Sequence, residues 1–188
     1  DLHPIIQTAV LHAQFEMIHP FLDGNGRMGR LLITLFLASK KILHTPCLYI
    51  SAYLQRHRGA YYASLAKISK NNDWNTWISF FLRAVVEHSK ANASLLMKMT
   101  DLYEISKTQF AEATNSSLAM ELLDYLFAQP IFTVPNLINQ TKVKASKATL
   151  LLAVQKLEKA GLVTKISEGR GRRPTVWKFG ALVDLIQD

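Results

Sequence analysis

Apolar residues recur every three or four positions from Ile5 to Ile18, through Ala9, Val10, Ala13 and Met17, which predicts one amphipathic helix. The pattern stops at His19-Pro20, because the residue before a proline is pushed out of the α region. A short loop, 21–24, follows. The chain from Gly26 to Leu37 then reads as a second helix, with Leu31, Leu32 and Leu35 on its core side and Arg27 and Arg30 sharing another face. Pro46 interrupts the pattern. Tyr53, Leu54, Tyr61, Tyr62 and Leu65 predict a further helix that ends near 71–73. Asp73 is placed to cap a long helix holding Trp74, Trp77 and Phe80 to Leu82 and continuing to about Gln109.

The polar run 111–117, rich in Thr, Asn and Ser, reads as a linker. Three shorter helical patterns follow, at about 118–128, 134–140 and 146–160, and Gly161 closes the last as a C′ glycine. Two β-like stretches, 162–166 and 175–179, flank a basic tip at 168–173. The expectation is a mainly α chain: a helical core over 1–110, a linker over 111–117 and a small α+β domain over 118–188.

Composition narrows the class. The chain has 188 residues, 49% of them apolar and 19% charged, the profile of a soluble globular protein with a real core. Its longest apolar run, Leu31 to Ala38, is far short of the roughly 20 residues that span a bilayer. The single cysteine, Cys47, rules out an intramolecular disulfide and reads as a small buried hydrophobe, which fits a cytoplasmic setting. A formal net charge of +8 calls for an anionic partner, a nucleotide or a nucleic acid. Asp1 is not a methionine, so the chain reads as a fragment beginning inside a domain.

The densest chemistry lies in 19–30, H-P-F-L-D-G-N-G-R-M-G-R. Backbone N–H groups at Gly24, Asn25 and Gly26 would open a helix N-terminus, an anion site. Glycines allow close approach of a phosphate. Arg27 and Arg30 can each clamp phosphate oxygens with a bidentate fork. Asp23 offers a hard oxygen to Mg²⁺ on a triphosphate. His19 could take a proton from an incoming hydroxyl near neutral pH. Each residue also has a plain structural reading, as cap, turn or solvated charge; the contiguous arrangement points to nucleotidyl or phosphoryl transfer.

This segment resembles the Fic family signature H-P-F-x-[DE]-G-N-G-R-x-x-R at every fixed position. The flanking F-E-M-I and R-L-L, the A-Y-Y-A-S-L stretch and D-W-N-T-W-I-S-F-F-L are also similar, so the resemblance covers roughly Leu2 to Lys107. It implies a protein adenylyltransferase that moves AMP from ATP to a Ser, Thr or Tyr hydroxyl of a target protein and releases pyrophosphate. It implies His19 as general base, Asp23 as Mg²⁺ ligand and Gly24, Asn25 and Gly26 as anion hole. Arg27 would bind the phosphates, Arg30 would reach the γ-phosphate and Phe21 would be a buried anchor. Tyr61 and Tyr62 would line the nucleobase pocket, Tyr62 the preferred of the two, with a core role the alternative for both. The family's target-positioning β-hairpin is not visible before Ile5. The family's inhibitory-helix pattern, [ST]-x-x-x-E-[GN], is matched by Thr164 to Gly169, but in a stretch that reads as strand and turn.

The C-terminal order of helices, then strands around a basic loop, resembles a winged helix-turn-helix domain. That implies a third helix whose Ser146, Lys147 and Thr149 would face DNA bases, with Arg170, Arg172 and Arg173 on phosphates. Lys142 and Lys144 precede that helix. Protein docking is the alternative use, and a homodimer is left open. Two other functions stay in play: a nucleotide-sensing DNA-binding regulator without transferase activity, and a related phosphoryl or phosphocholine transfer.

Overall fold

The computed structural model describes residues 2–43, 45, 48–140, 145–171 and 173–187. The expectations for Cys47, Pro46, Lys142, Lys144 and Arg172 lie outside these residues. The chain is mostly helical with one small sheet, and divides into two compact units, Asp1–Ala93 and Ser94–Asp188.

The first unit opens with α1, Pro4–Ile18, started by proline at its first position and by the His3 ring, which accepts from the Ile5 N–H. Its end is the sequence-predicted one: His19 takes a left-handed conformation, φ 49°, and its N–H donates to the Phe15 carbonyl. Helix α2, Asn25–Ser39, packs against α1. Its core side differs from the expected one. Ile33 and Leu37 are buried, whereas Leu31 and Leu35 are 46% and 51% exposed. The run L-L-I-T-L-F-L is apolar on nearly every side, so periodicity alone cannot select the buried face.

The single helix expected across Tyr53 to Leu65 is two helices, α3 (Ser51–Arg56) and α4 (Arg58–Asn71), broken at His57. Asp73 does cap α5, Trp74–Thr114: one carboxylate oxygen accepts the Thr76 N–H at 3.1 Å and the other the Thr76 hydroxyl at 2.6 Å. These bonds hold the Asp73 carboxyl below its usual pKa. Trp77, fully buried with Phe81 and Ala84, donates its indole N–H to the Ala9 carbonyl at 2.8 Å and so ties α5 to α1.

The division between the units falls inside α5, and residues 111–114 of the polar run are the last turn of that helix. In the second unit, α6 (Ala119–Ala128), β1 (Ile131–Phe132), α7 (Val134–Gln140) and α8 (Lys147–Lys159) precede β2 (Thr164–Ser167), β3 (Val176–Lys178) and α9 (Gly180–Gln187). The sheet is antiparallel in the order β1-β3-β2, with Phe132 opposite Trp177 and Lys165 opposite the same residue. Strand β1 and helix α9 have no counterpart in the sequence reading; a two-residue strand shows no alternation to detect. Phe110, Leu123, Leu137, Leu150, Leu157 and Phe179 form the core. Thr164 to Ser167, part of the six residues matching the inhibitory-helix pattern, form β2 and not helix. Among the described residues no helix is long and apolar enough to cross a membrane.

Candidate active site

The 19–30 segment is the joint between α1 and α2. His19 is exposed at the end of α1, and its Nδ1 lies 3.3 Å from the Glu16 carbonyl oxygen. A carbonyl only accepts, so in a neutral ring this contact favours the tautomer with the proton on Nδ1.

The loop from Pro20 to Gly24 is held from within by Asn25. Its side chain is 2% exposed, and its Oδ1 accepts the Phe21 N–H at 2.9 Å while its Nδ2 donates to the Phe21 carbonyl at 2.6 Å. Phe21 itself is 49% exposed, so it is not the buried anchor that the resemblance implied. The polar amide does that work, because it satisfies both backbone groups of the tight loop at once.

Gly24 adopts φ 82°, a left-handed conformation that favours glycine, and precedes an α2 N-terminus that no side chain caps. The Gly24 N–H donates to Asp23 Oδ1 at 2.6 Å; Asp23 Oδ2 lies 3.5 Å from Arg27 Nη2. Both side chains are largely in solvent, at 94% and 77% exposure, so this pair stabilises the fold little. The Arg30 guanidinium lies back over Gly26, where a Cβ would sit 3.2 Å from Arg30 Nη1. Two clefts open beside it. One, of about 250 Å³, is lined by Arg30, Leu54, Gln55, Arg58, Tyr61 and Tyr62; the other, of about 280 Å³, by Arg27, Arg30, Tyr49, Ile50 and Ser51 among others. The structure thus brings Arg27, Arg30, Tyr61 and Tyr62 around adjoining clefts.

The two tyrosines differ. Tyr62 is 55% exposed, with the Arg58 guanidinium 5.5 Å from its ring centre. Tyr61 is buried, and its hydroxyl meets His12 Nε2 at 3.1 Å. In the sequence His12 and Glu16 look like ordinary members of α1. His12 is fully buried; its Nδ1 is 2.9 Å from the Gly29 carbonyl, so Nδ1 donates and Nε2 accepts from Tyr61. Burial, with a smaller contribution from the Arg30 charge and against the opposing hydrogen bond to Gly29, lowers the His12 pKa to about 4. Burial also raises the Glu16 carboxyl, against the pull of His19 and Arg30, and pushes the Tyr61 hydroxyl up. Gly29 makes the cluster sterically feasible. A Cβ there would collide with Glu16 Oε1 and sit 3.2 Å from both His12 Cε1 and Phe15 Cδ1. The only signals for this cluster in sequence are the i, i+4 spacing of His12 and Glu16 and a glycine inside α2.

No group of three or more His, Cys, Asp or Glu fit for a metal occurs among the described residues. Asp23 alone, exposed beside an uncapped helix N-terminus, suits a Mg²⁺ held mainly by substrate phosphates and water. Of the residues expected to meet DNA, Lys147, Arg170 and Arg173 are exposed in the second unit, and Arg172 is outside the described residues. Ser146 caps α8, accepting the Thr149 N–H, and its hydroxyl is 2.8 Å from that of Thr149.

Residues 1–37 match the Fic/DOC family. The chain is 40% identical over 58 residues to a probable protein adenylyltransferase of Aquifex aeolicus, covering 29% of this chain and 18% of that protein. It is 33% identical over 91 residues to a protein adenylyltransferase of Caenorhabditis elegans, covering 48% and 16%. A Fic family protein from Desulfovibrio desulfuricans G20 has a solved structure with a TM-score of 0.49, 22% identity, and coverage of 95% of this chain and 50% of that one. The matches span less than a fifth of these curated relatives' length. The chain therefore carries a Fic/DOC family match over residues 1–37, which include the whole 19–30 segment.

Proposed function

We propose that this chain carries the active site of a protein adenylyltransferase. The observation that carries the reading is the α1–α2 joint. It sets the exposed His19 imidazole, its Nδ1 turned to the Glu16 carbonyl, just before an uncapped helix N-terminus with a left-handed glycine, and two arginines border the adjoining clefts. In the proposed reaction, His19 Nε2 takes the proton of a target Ser, Thr or Tyr hydroxyl as its oxygen attacks the α-phosphorus of ATP. The bond between that phosphorus and the bridging oxygen breaks, and pyrophosphate leaves. The N–H groups of Asn25 and Gly26, with Arg27, receive the phosphates, and Arg30 neutralises charge toward the γ end. The Tyr62 ring and the wall formed by Tyr61 suit a flat base. Asp23 would hold Mg²⁺, which would offset charge on the phosphates.

The order of α6, β1, α7, α8, β2 and β3 supports reading the second unit as a winged helix-turn-helix domain. The transfer reading is tested by pyrophosphate release from Mg-ATP with an extract supplying acceptor proteins. Release that depends on acceptor and disappears in His19→Ala supports it; equal release by the variant contradicts it.

A further inference from the structure

The chain's +8 charge is not spread evenly. Ten of its 22 Lys and Arg residues, but only two of its 14 Asp and Glu residues, lie in 134–179; the remainder of the chain is balanced. That stretch spans α7, α8, β2 and β3, so the basic excess of the chain is concentrated in the second unit.

The outward face of α8 limits what a partner there can be. Leu150, Ala153, Val154 and Leu157 point inward and are buried, which leaves Ala148, Leu151, Leu152 and Gln155 on the outer stripe. Leu151 is 38% and Leu152 55% exposed. Beside Leu151 a groove of about 170 Å³ is lined by Val134, Pro135, Pro174 and Trp177, with Lys147 at its edge. Bases in the major groove are read chiefly through hydrogen-bond donors and acceptors; on this stripe Gln155 has them, but Leu151 and Leu152 at its centre have neither. An apolar centre with a charged rim is instead the anatomy of a protein–protein interface.

We propose that this face docks an acidic protein segment, whose apolar side chains cover the exposed Leu152 and enter the groove beside Leu151 while its carboxylates meet Lys147, Arg170 and Arg173. Charge complementarity selects an acidic occupant over a second copy of this chain, which would bring like charges together. The inference stands independently of the transfer chemistry.

The test is fluorescence anisotropy on the full chain with two probes. One is a labelled peptide with leucines at i, i+3 and i+7 among glutamates; the other is a mixed-sequence DNA duplex. Saturable peptide binding should weaken about tenfold or more in Leu152→Asp and in the milder Leu152→Gln. It should also weaken in Lys147→Glu, while duplex binding stays weak at physiological salt. Both Leu152 changes are at an exposed position, and circular dichroism would verify the fold. Absence of peptide binding overturns the proposal, as does peptide binding indifferent to Leu152. Tight duplex binding that falls steeply with salt and ignores Leu152 also overturns it, in favour of phosphate recognition.

Discussion

His12 should make the stability of the first unit depend on pH. Its native pKa is about 4 against an unperturbed 6.5, because the ring is fully buried between the Gly29 carbonyl and the Tyr61 hydroxyl. Between those values the unfolded chain binds a proton that the native state refuses, so stability is fully present above pH 6.5 and is lost as pH falls towards 4. The loss works out at about 2 kcal/mol by pH 5 and about 3 kcal/mol at pH 4. Glu16 acts in the opposite sense, since its raised pKa lets the native state bind a proton first and regain stability in acid. A difference between wild type and His12→Gln, each measured at pH 7.5 and pH 5, isolates the histidine because Glu16 is common to both. Trp77 stacks on His12 at 5.9 Å between ring centres and serves as the reporter in a Trp74→Phe/Trp177→Phe background. Urea unfolding should show the wild type losing about 2 kcal/mol more than His12→Gln, a midpoint change of roughly 1–2 M. Equal losses, or an NMR titration placing His12 near 6.5, would show that burial does not hold His12 neutral.

Asn25→Ala removes both bonds to Phe21 and should cost about 1–3 kcal/mol, with a larger relative loss in nucleotide affinity; Asn25→Asp keeps only the acceptor and should fall between, as isothermal titration with Mg-ATP would show. Gly29→Ala drives a methyl into His12, Phe15 and Glu16 and should destabilise the protein by about 1–3 kcal/mol in thermal unfolding, whereas Gly59→Ala, where a Cβ meets nothing, should not destabilise. Arg30→Ala should weaken Mg-ATP binding more than AMP binding, since the proposed role of Arg30 is at the γ end; equal weakening of both would remove that role.

The local punctuation of the chain was readable because single residues dictate it. Pro20 ends α1, Asp73 starts α5, Ser146 starts α8 and Gly161 ends it, each by a backbone or capping effect that needs no tertiary context. The 19–30 loop was readable for the same reason, since its glycines and charged residues are contiguous. The face of α2 was not, because Leu31 and Leu35 are as apolar as Ile33 and Leu37 and only packing separates them. The split between α3 and α4 turns on the backbone at His57, φ −107° and ψ 32°, which no helix-breaking residue announces. The resemblance implies Phe21 as the loop anchor, yet a loop this tight is limited by its backbone hydrogen bonds, which Asn25 provides. The buried cluster joins His12 and Glu16 to Tyr61 across 49 residues, a distance that periodicity does not span.

The proposed transfer of AMP to protein rests on His19 and the α2 N-terminus. Full-length protein, incubated with magnesium, acceptor proteins and ATP labelled at either the α- or the γ-phosphate, tests it most directly. Protein-bound label is expected from the α position alone, and none in His19→Ala. Label arriving from the γ-phosphate, or α-label persisting without His19, would contradict it.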